Sequence, residues 1–180
     1  MIDITRFSYE AILLWVVAFC IIEFPCIYMF KNLLGKPSVY LTKYYSFTYF
    51  NIINVLIGDI IYALIGLIIA YRIHSYVCKD VTDFNKRFIC LLLIFWVVQM
   101  IGDFTFYNIV RVLSQNSDSK WINFFVDYGN HSKAAAIFGD SLYILILSIM
   151  VYFVRYIPSD ICLGIVFTFI FICSAIAEQK

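Results

Sequence analysis

The amino-acid sequence predicts an all-α, polytopic membrane protein with about five transmembrane helices and one short amphipathic helix at the membrane interface. The composition is the first reason, since 63% of the 180 residues are hydrophobic and 14% are charged. Soluble domains are about half apolar and about a quarter charged. The second reason is that the apolar residues form long runs without the alternation of a membrane barrel. The length suits one integral membrane domain over residues 1–180.

Five segments are long and apolar enough to cross a bilayer, which takes about 20 helical residues. The predicted spans are residues 9–30, 52–71, 88–110, 134–156 and 161–177. Backbone polar groups in lipid must be satisfied within their own segment, so each run is expected to be helical. Pro158 predicts a tight turn that makes the last two spans an antiparallel hairpin.

The connection between the third and fourth spans contains a further helical pattern. Its aromatic residues recur on one side of a helix, opposite a polar side that includes Asp127 and His131; the aromatic residues are Trp121, Phe124, Phe125 and Tyr128. This pattern predicts a short helix in the membrane interface with its aromatic side in the headgroups. A plain anchoring loop is the alternative.

Four acidic residues lie inside the predicted spans, and we refer to them as the acidic cluster: Glu23, Asp59, Asp103 and Asp140. A charge at the bilayer centre costs at least about 2.5–3.5 kcal/mol, so such residues are rare and usually functional. Each lies six or seven residues from one end of its span. Because successive helices alternate in direction, these ends share one side. At 1.5 Å per residue the carboxylates are expected in one layer, about 9–11 Å below the surface.

The three aspartates of the acidic cluster share a motif in which Gly precedes Asp and a Tyr follows three or four residues later. The glycines are Gly58, Gly102 and Gly139, and we expect them to let neighbouring backbones approach closely. The side chains expected to surround the carboxylates are Asn54, Tyr62, Tyr107, Tyr143 and Arg111, the last being the basic residue nearest the layer.

Four carboxylates cannot all stay ionised in a dry interior. A bound divalent cation such as Ca²⁺ or Mg²⁺ could neutralise them, with the acidic cluster as its ligands. Protons could occupy some of them and form a relay. Alternatively, Arg111 could pair with one or two of them. The leading hypothesis is therefore cation or proton handling of a transport or channel type, and its main rival is a structural membrane protein with a buried, paired polar network.

A second rival is a metal-assisted membrane enzyme acting on lipid. Asp127 and His131 lie four residues apart, near the surface toward which the acidic cluster opens, where they could act as general acid and base on a headgroup. The sequence contains neither HExxH nor GxSxG. The enzyme hypothesis is therefore the least favoured, and no catalytic residue is assigned.

The net charge and the positions of the cysteines limit the kinds of partner and of metal site that the sequence supports. The net charge of +1, without a basic run, argues against nucleic acid and leaves the lipid bilayer, and further copies of this chain, as the expected partners. Five of the six cysteines lie in apolar runs, and only Cys78 lies in a polar loop. No Cys/His spacing suits zinc, so the cysteines are expected to be packing residues. Lys and Arg occur in similar numbers on the two sides of the five predicted spans, so the sequence does not predict the orientation of the chain. It also does not predict in which membrane the chain lies.

The stretch Met100–Ile149 resembles a known group of sequences. The segments IGDFTFYN, FFVDYG and AAAIFGDSLYIL are similar to those of uncharacterised small multi-pass membrane proteins of large DNA viruses and algae. More distantly, the order Asp, Trp, Asp followed by an aromatic resembles a bacterial membrane family of unknown function. The resemblance covers about a quarter of the chain and implies membership, not an activity.

Overall fold

The computed structural model describes residues 2–32, 43–44, 52–132 and 134–178, and contains no β-strand in these ranges. The all-helical prediction is therefore confirmed for this part of the chain. The α-helices are α1 (Tyr9–Asn32), α2 (Ile52–Val77), α3 (Phe84–Leu113), α4 (Lys120–Ser132), α5 (Ala134–Val154) and α6 (Ser159–Glu178), with a 3₁₀ turn at Ser114–Asn116.

Local chemistry explains where several helices begin and end. Asp83 caps α3, because its side chain accepts a hydrogen bond of 2.9 Å from the backbone N–H of Lys86. The Ser8 hydroxyl accepts a bond of 3.1 Å from the Ala11 N–H in the first turn of α1. The turn predicted at Pro158 is present, since α5 ends at Val154 and α6 begins at Ser159.

Helix α1 lies at the centre of the bundle and contacts α2, α5 and α6. Its Trp15 is fully buried and packs edge-on against Phe95 of α3, with 5.7 Å between ring centroids. The Trp15 Nε1–H donates to the Tyr71 hydroxyl at 3.0 Å. That hydroxyl donates to the Ile4 carbonyl at 2.6 Å. These bonds satisfy buried polar groups and fix α1 against α2 and the N-terminal segment.

The outer surface of the bundle is strongly apolar. On α2 one stripe of exposed side chains consists of Ile57, Ile61, Ile65, Ile68 and Ile69. Two helical segments within the described ranges, Asn54–Val77 and Phe84–Asn116, are long and apolar enough to cross a membrane. Phe138–Val154 and Ser159–Ile172 are shorter apolar helices. Two potential membrane helices are thus supported by length and composition, and the five-span arrangement stays a prediction.

The predicted amphipathic helix is present as α4. Its aromatic side is expected to face the lipid headgroups, but most of that side packs on the protein instead. Phe124 is buried beside Val55, and the Tyr44 ring stacks on Phe124 with centroids 5.7 Å apart. Phe125 packs edge-on against Phe106 at 5.0 Å. The aromatic side of α4 therefore packs mainly on the protein, because α3 and Tyr44 offer it an apolar surface.

Candidate functional site

Asp103 in the middle of α3 is the best-defined member of the acidic cluster. Its Oδ1 accepts two hydrogen bonds, from the Tyr62 hydroxyl at 2.8 Å and from the Gln99 side-chain amide at 2.9 Å. Its Oδ2 is buried and has no hydrogen-bond partner among the residues that the structure describes. Oδ1 of this carboxylate thus accepts two hydrogen bonds from the protein, whereas no described residue donates to Oδ2.

Asp140 on α5 lies close enough to Asp103 for the two carboxyl groups to interact electrostatically. Tyr62, which donates to Asp103, also interacts electrostatically with Asp140. Beside this pair the Trp96 Nε1–H donates to the Ser141 hydroxyl at 2.7 Å and ties the same two helices together. The structure therefore brings Asp103 and Asp140 together at one place.

Glu23 and Asp59 also contact tyrosines. The Tyr143 hydroxyl of α5 donates to the Glu23 carboxylate, which is buried with 3% exposure. The Tyr44 hydroxyl donates to Asp59 Oδ1 and also interacts electrostatically with Glu23. Tyr44 thus interacts with Glu23 and Asp59, as Tyr62 does with Asp103 and Asp140.

The predicted neighbours of the acidic cluster divide into two groups. Tyr62 and Tyr143 donate to carboxylates, although Tyr143 contacts Glu23 on α1 rather than an aspartate of its own motif. Tyr107 instead donates to the Asn130 side chain of α4 at 2.7 Å. Asn54 and Arg111 are exposed, and Arg111 makes no salt bridge within the part of the chain that is described. The predicted Arg111 pairing is therefore not seen there.

The close approach of backbones predicted at the three glycines is not seen among the described residues, but one of the glycines makes room for a side chain. A Cβ at Gly102 would lie 2.9 Å from the Tyr62 hydroxyl, so this glycine makes room for the donor to Asp103. No atom of the described residues would lie within 4 Å of a Cβ at Gly58 or Gly139. Gly129 of α4, outside the motif, has the tighter requirement: its Cβ would lie 2.4 Å from the Tyr107 ring.

Asp127 and His131 lie on the exposed side of α4. The His131 Nδ1 contacts the backbone carbonyl of Asp127 at 2.8 Å, one helical turn earlier. A side-chain contact to the preceding turn is common in helices. The structure places the two residues side by side, and the contact shown involves the Asp127 backbone.

At the other end of the bundle an acidic side chain lies beside basic ones. We call Asp3, Arg6 and Arg87 the paired end. Arg87 approaches Asp3 Oδ2 at 3.0 Å and Arg6 approaches it at 3.5 Å. Burial alone would raise the pKa of the Asp3 carboxyl. The hydrogen bonds from Thr5 and the charges of Arg87 and Arg6 outweigh burial and hold that pKa below its ordinary value of 3.8.

Two cysteines at the same end depart from the prediction that all six are packing residues. Cys78, just after α2, and Cys90, in α3, are joined as a disulfide, with their Cα atoms 6.8 Å apart. Cys20 and Cys162 are both buried, as expected of packing residues. Sequence reasoning missed the pair because twelve residues separate its members, and only the hairpin of α2 and α3 brings them together.

Comparisons of the chain with protein-family models, curated proteins and solved structures find no match. The resemblance to viral and algal membrane proteins therefore stays a prediction. The function has to be argued from the acidic cluster and its surroundings.

Proposed function

We propose that the protein is a multi-pass membrane protein that handles a cation or protons through the acidic cluster. In this proposal α1, α2, α3, α5 and α6 cross the bilayer as five spans of one domain, and α4 lies at the membrane surface. Glu23, Asp59, Asp103 and Asp140 form the ion or proton site. The chain functions in contact with lipid, and a homo-oligomer is its expected state.

Exposed apolar side chains support the membrane part of the proposal. Soluble proteins rarely expose contiguous apolar patches larger than a few hundred Å². Here large hydrophobic residues are exposed at helical spacing on several helices, and this pattern is typical of a surface covered by lipid. The stripes outside α2 include Leu93, Val97, Ile101 and Phe104 on α3, Leu142, Leu145, Ile149 and Phe153 on α5, and Phe167, Ile170 and Phe171 on α6.

The observation that carries the ion-handling part is the unpartnered Oδ2 of Asp103 beside Asp140. A buried charged oxygen without a donor costs free energy, and a second carboxylate nearby increases this cost. A proton shared between the two groups, or a cation between them, would remove it. Hard cations such as Ca²⁺ and Mg²⁺ prefer several oxygen ligands. The site is therefore suited to an occupant that the side chains around it do not supply.

The tyrosines suggest how a proton would move in this site. A tyrosine hydroxyl both donates and accepts hydrogen bonds. Tyr62 interacts with both Asp103 and Asp140, and Tyr44 with both Asp59 and Glu23. We propose that this arrangement serves proton transfer, or replaces lost hydrogen bonds when a cation leaves.

Ion flux into liposomes containing the purified full-length protein tests the proposal. H⁺, Na⁺, K⁺ and Ca²⁺ are tested separately with wild type, Asp103→Asn and Asp118→Asn. Asp118 is an exposed residue of the connection before α4, so its variant is a matched control. We expect flux of at least one ion in wild type and in Asp118→Asn, and its loss in a folded Asp103→Asn.

The rival functions give different results in the same assay. A structural protein whose tyrosines simply satisfy the carboxylates shows no flux in any form, and Asp103→Asn then weakens folding or assembly. A metal-assisted lipid enzyme shows no flux but requires His131, so His131→Ala would remain folded and lose turnover of lipid. Absence of flux for all four ions, with the wild type stably folded in the bilayer, would overturn the ion-handling proposal.

A further inference from the structure

We propose that His74, Cys78 and Cys90 form a zinc site when both cysteines are reduced. One ligand atom from each of the three side chains lies within 4.8 Å of the other two. Thiolate and imidazole are the ligands that Zn²⁺ prefers in proteins. The site lies at the end of the α2–α3 hairpin opposite the acidic cluster and does not depend on the function proposed for that cluster.

The hairpin explains how the three ligands meet. His74 and Cys78 lie four residues apart, so they project from the same side at the end of α2. The Cys78 N–H donates to the His74 carbonyl at 2.9 Å and continues the helical hydrogen bonding through this turn. Cys90 projects from the second turn of α3. The site therefore links two helices through residues close to one short connection.

His74 already has the hydrogen bond that usually orients a metal-binding histidine. Its Nε2 lies 3.1 Å from the backbone carbonyl of Arg87. An Nε2–H that donates to this carbonyl leaves the lone pair on Nδ1. Metal-ligating histidines almost always donate their other ring N–H to a carboxylate, a backbone carbonyl or water. The imidazole is thus held in a tautomer that can ligate.

The separation of the two cysteine backbones suits an ion between the sulfurs. Disulfides usually join Cα atoms 4.4–6.8 Å apart, and the Cα atoms of Cys78 and Cys90 lie 6.8 Å apart, at the upper limit of that range. Side-chain rotation that separates the sulfurs would make room for Zn²⁺ with ordinary bonds of about 2.3 Å to sulfur. Zinc binding by the reduced cysteines therefore does not require the two helices to move apart.

An open cavity of about 550 Å³ gives the site an entry path, since His74 and Cys78 contribute to its wall. On binding, the two thiols lose their protons to water, two sulfur–zinc bonds form, and the imidazole lone pair makes the third. A water molecule from the cavity would complete the tetrahedron.

Zinc content tests the proposal directly. The full-length protein is purified in detergent with a phosphine reductant, and zinc per chain is measured by elemental mass spectrometry. His74→Gln, Cys78→Ser and Cys90→Ser each remove one ligand, and Cys162→Ser removes a buried free thiol elsewhere as the control. We expect stoichiometric zinc in wild type and in Cys162→Ser. We expect affinity at least about tenfold lower in the other three, measured by competition with a chromophoric chelator.

Two further measurements keep the result decisive. Cobalt substitution of the wild type should give a thiolate-to-cobalt charge-transfer absorption, which needs no variant that might fail to fold. Intact mass should show both thiols free in the zinc-loaded protein. A metal-free wild type with free thiols would overturn the proposal. A metal-free protein in which Cys78 and Cys90 stay oxidised under the reductant would overturn it as well, and would establish a purely structural disulfide.

Discussion

The two ends of the bundle surround their carboxylates in opposite ways. At the paired end, Asp3 accepts hydrogen bonds from Thr5 and lies within 3.5 Å of two arginines. In the acidic cluster, the donors shown around the carboxylates are neutral, namely tyrosine hydroxyls and the Gln99 amide. One end thus pairs its carboxylate with arginines, whereas the donors shown at the other end are neutral.

This difference is the basis for proposing a functional role at one end and a structural role at the other. A carboxylate paired with arginine is already neutralised, so its ionisation stabilises the fold. A carboxylate surrounded by neutral donors keeps an uncompensated charge, so its occupancy by a proton or cation depends on the surroundings. Such a group can change state during a transport cycle, and this is why the proposed function is assigned to the acidic cluster.

The largest difference in stability between the two ends is expected when the basic partner of a carboxylate is removed. The Arg87 side chain is 15% exposed and Asp3 is 37% exposed. Arg87→Met should lower the free energy of unfolding by about 1–2 kcal/mol, a range reduced because Asp3 is partly solvated. Thermal unfolding in detergent checks this. Arg111→Met, at an exposed position near the acidic cluster, is the control and should change stability by less than about 0.5 kcal/mol.

Neutralising one member of the acidic cluster should raise the free energy of unfolding, whereas removing the Arg87 charge should lower it. Asp103→Asn keeps the acceptor for Tyr62 and Gln99 and removes the uncompensated charge. The free energy of unfolding should therefore rise by about 1 kcal/mol at pH 7. The measurement is thermal unfolding in a choline buffer with a chelator, so that no cation stabilises the wild type. A loss of stability as large as that of Arg87→Met would mean that both ends are structural.

A smaller effect is expected from displacing a neutral donor. Gly102→Ala places a methyl group 2.9 Å from the Tyr62 hydroxyl and should push it away from Asp103 Oδ1. We expect a loss of about 0.5–1 kcal/mol, the usual net contribution of one hydrogen bond. Gly139→Ala meets no atom within 4 Å and is the matched control. Equal losses in the two variants would show that helix packing, and not the hydrogen bond, is responsible.

The smallest effect concerns acid pH at the paired end. The pKa of Asp3 is lower in the folded state than its ordinary value of 3.8. Its ionisation therefore contributes stability above about pH 4, and this contribution is lost as the pH falls through the folded pKa. The unfolding midpoint of wild type should fall relative to that of Asp3→Asn as the pH is lowered below about 4. A constant difference between the two proteins over this range would contradict the assignment.

Hydrophobic runs made much of the architecture predictable. The runs predicted helices in all five segments, and the helices found at 52–77 and 84–113 include the predicted spans 52–71 and 88–110. The spacing of Trp121, Phe124, Phe125 and Tyr128 predicted α4. Helical periodicity does not reveal what a side of a helix packs against, so the burial of Phe124 against Val55 was not foreseen.

By itself the sequence determined that the described chain is helical, that Tyr62 and Tyr143 lie on helices near acidic residues, and that four acids lie in apolar segments. These are local properties, set by hydropathy and by residue spacing. Tertiary structure alone decided which groups meet: Tyr44 with Asp59, Tyr143 with Glu23, and Cys78 with Cys90. The reason is that side chains distant in the sequence become neighbours only through the rotation and depth of packed helices, which spacing along the chain does not fix.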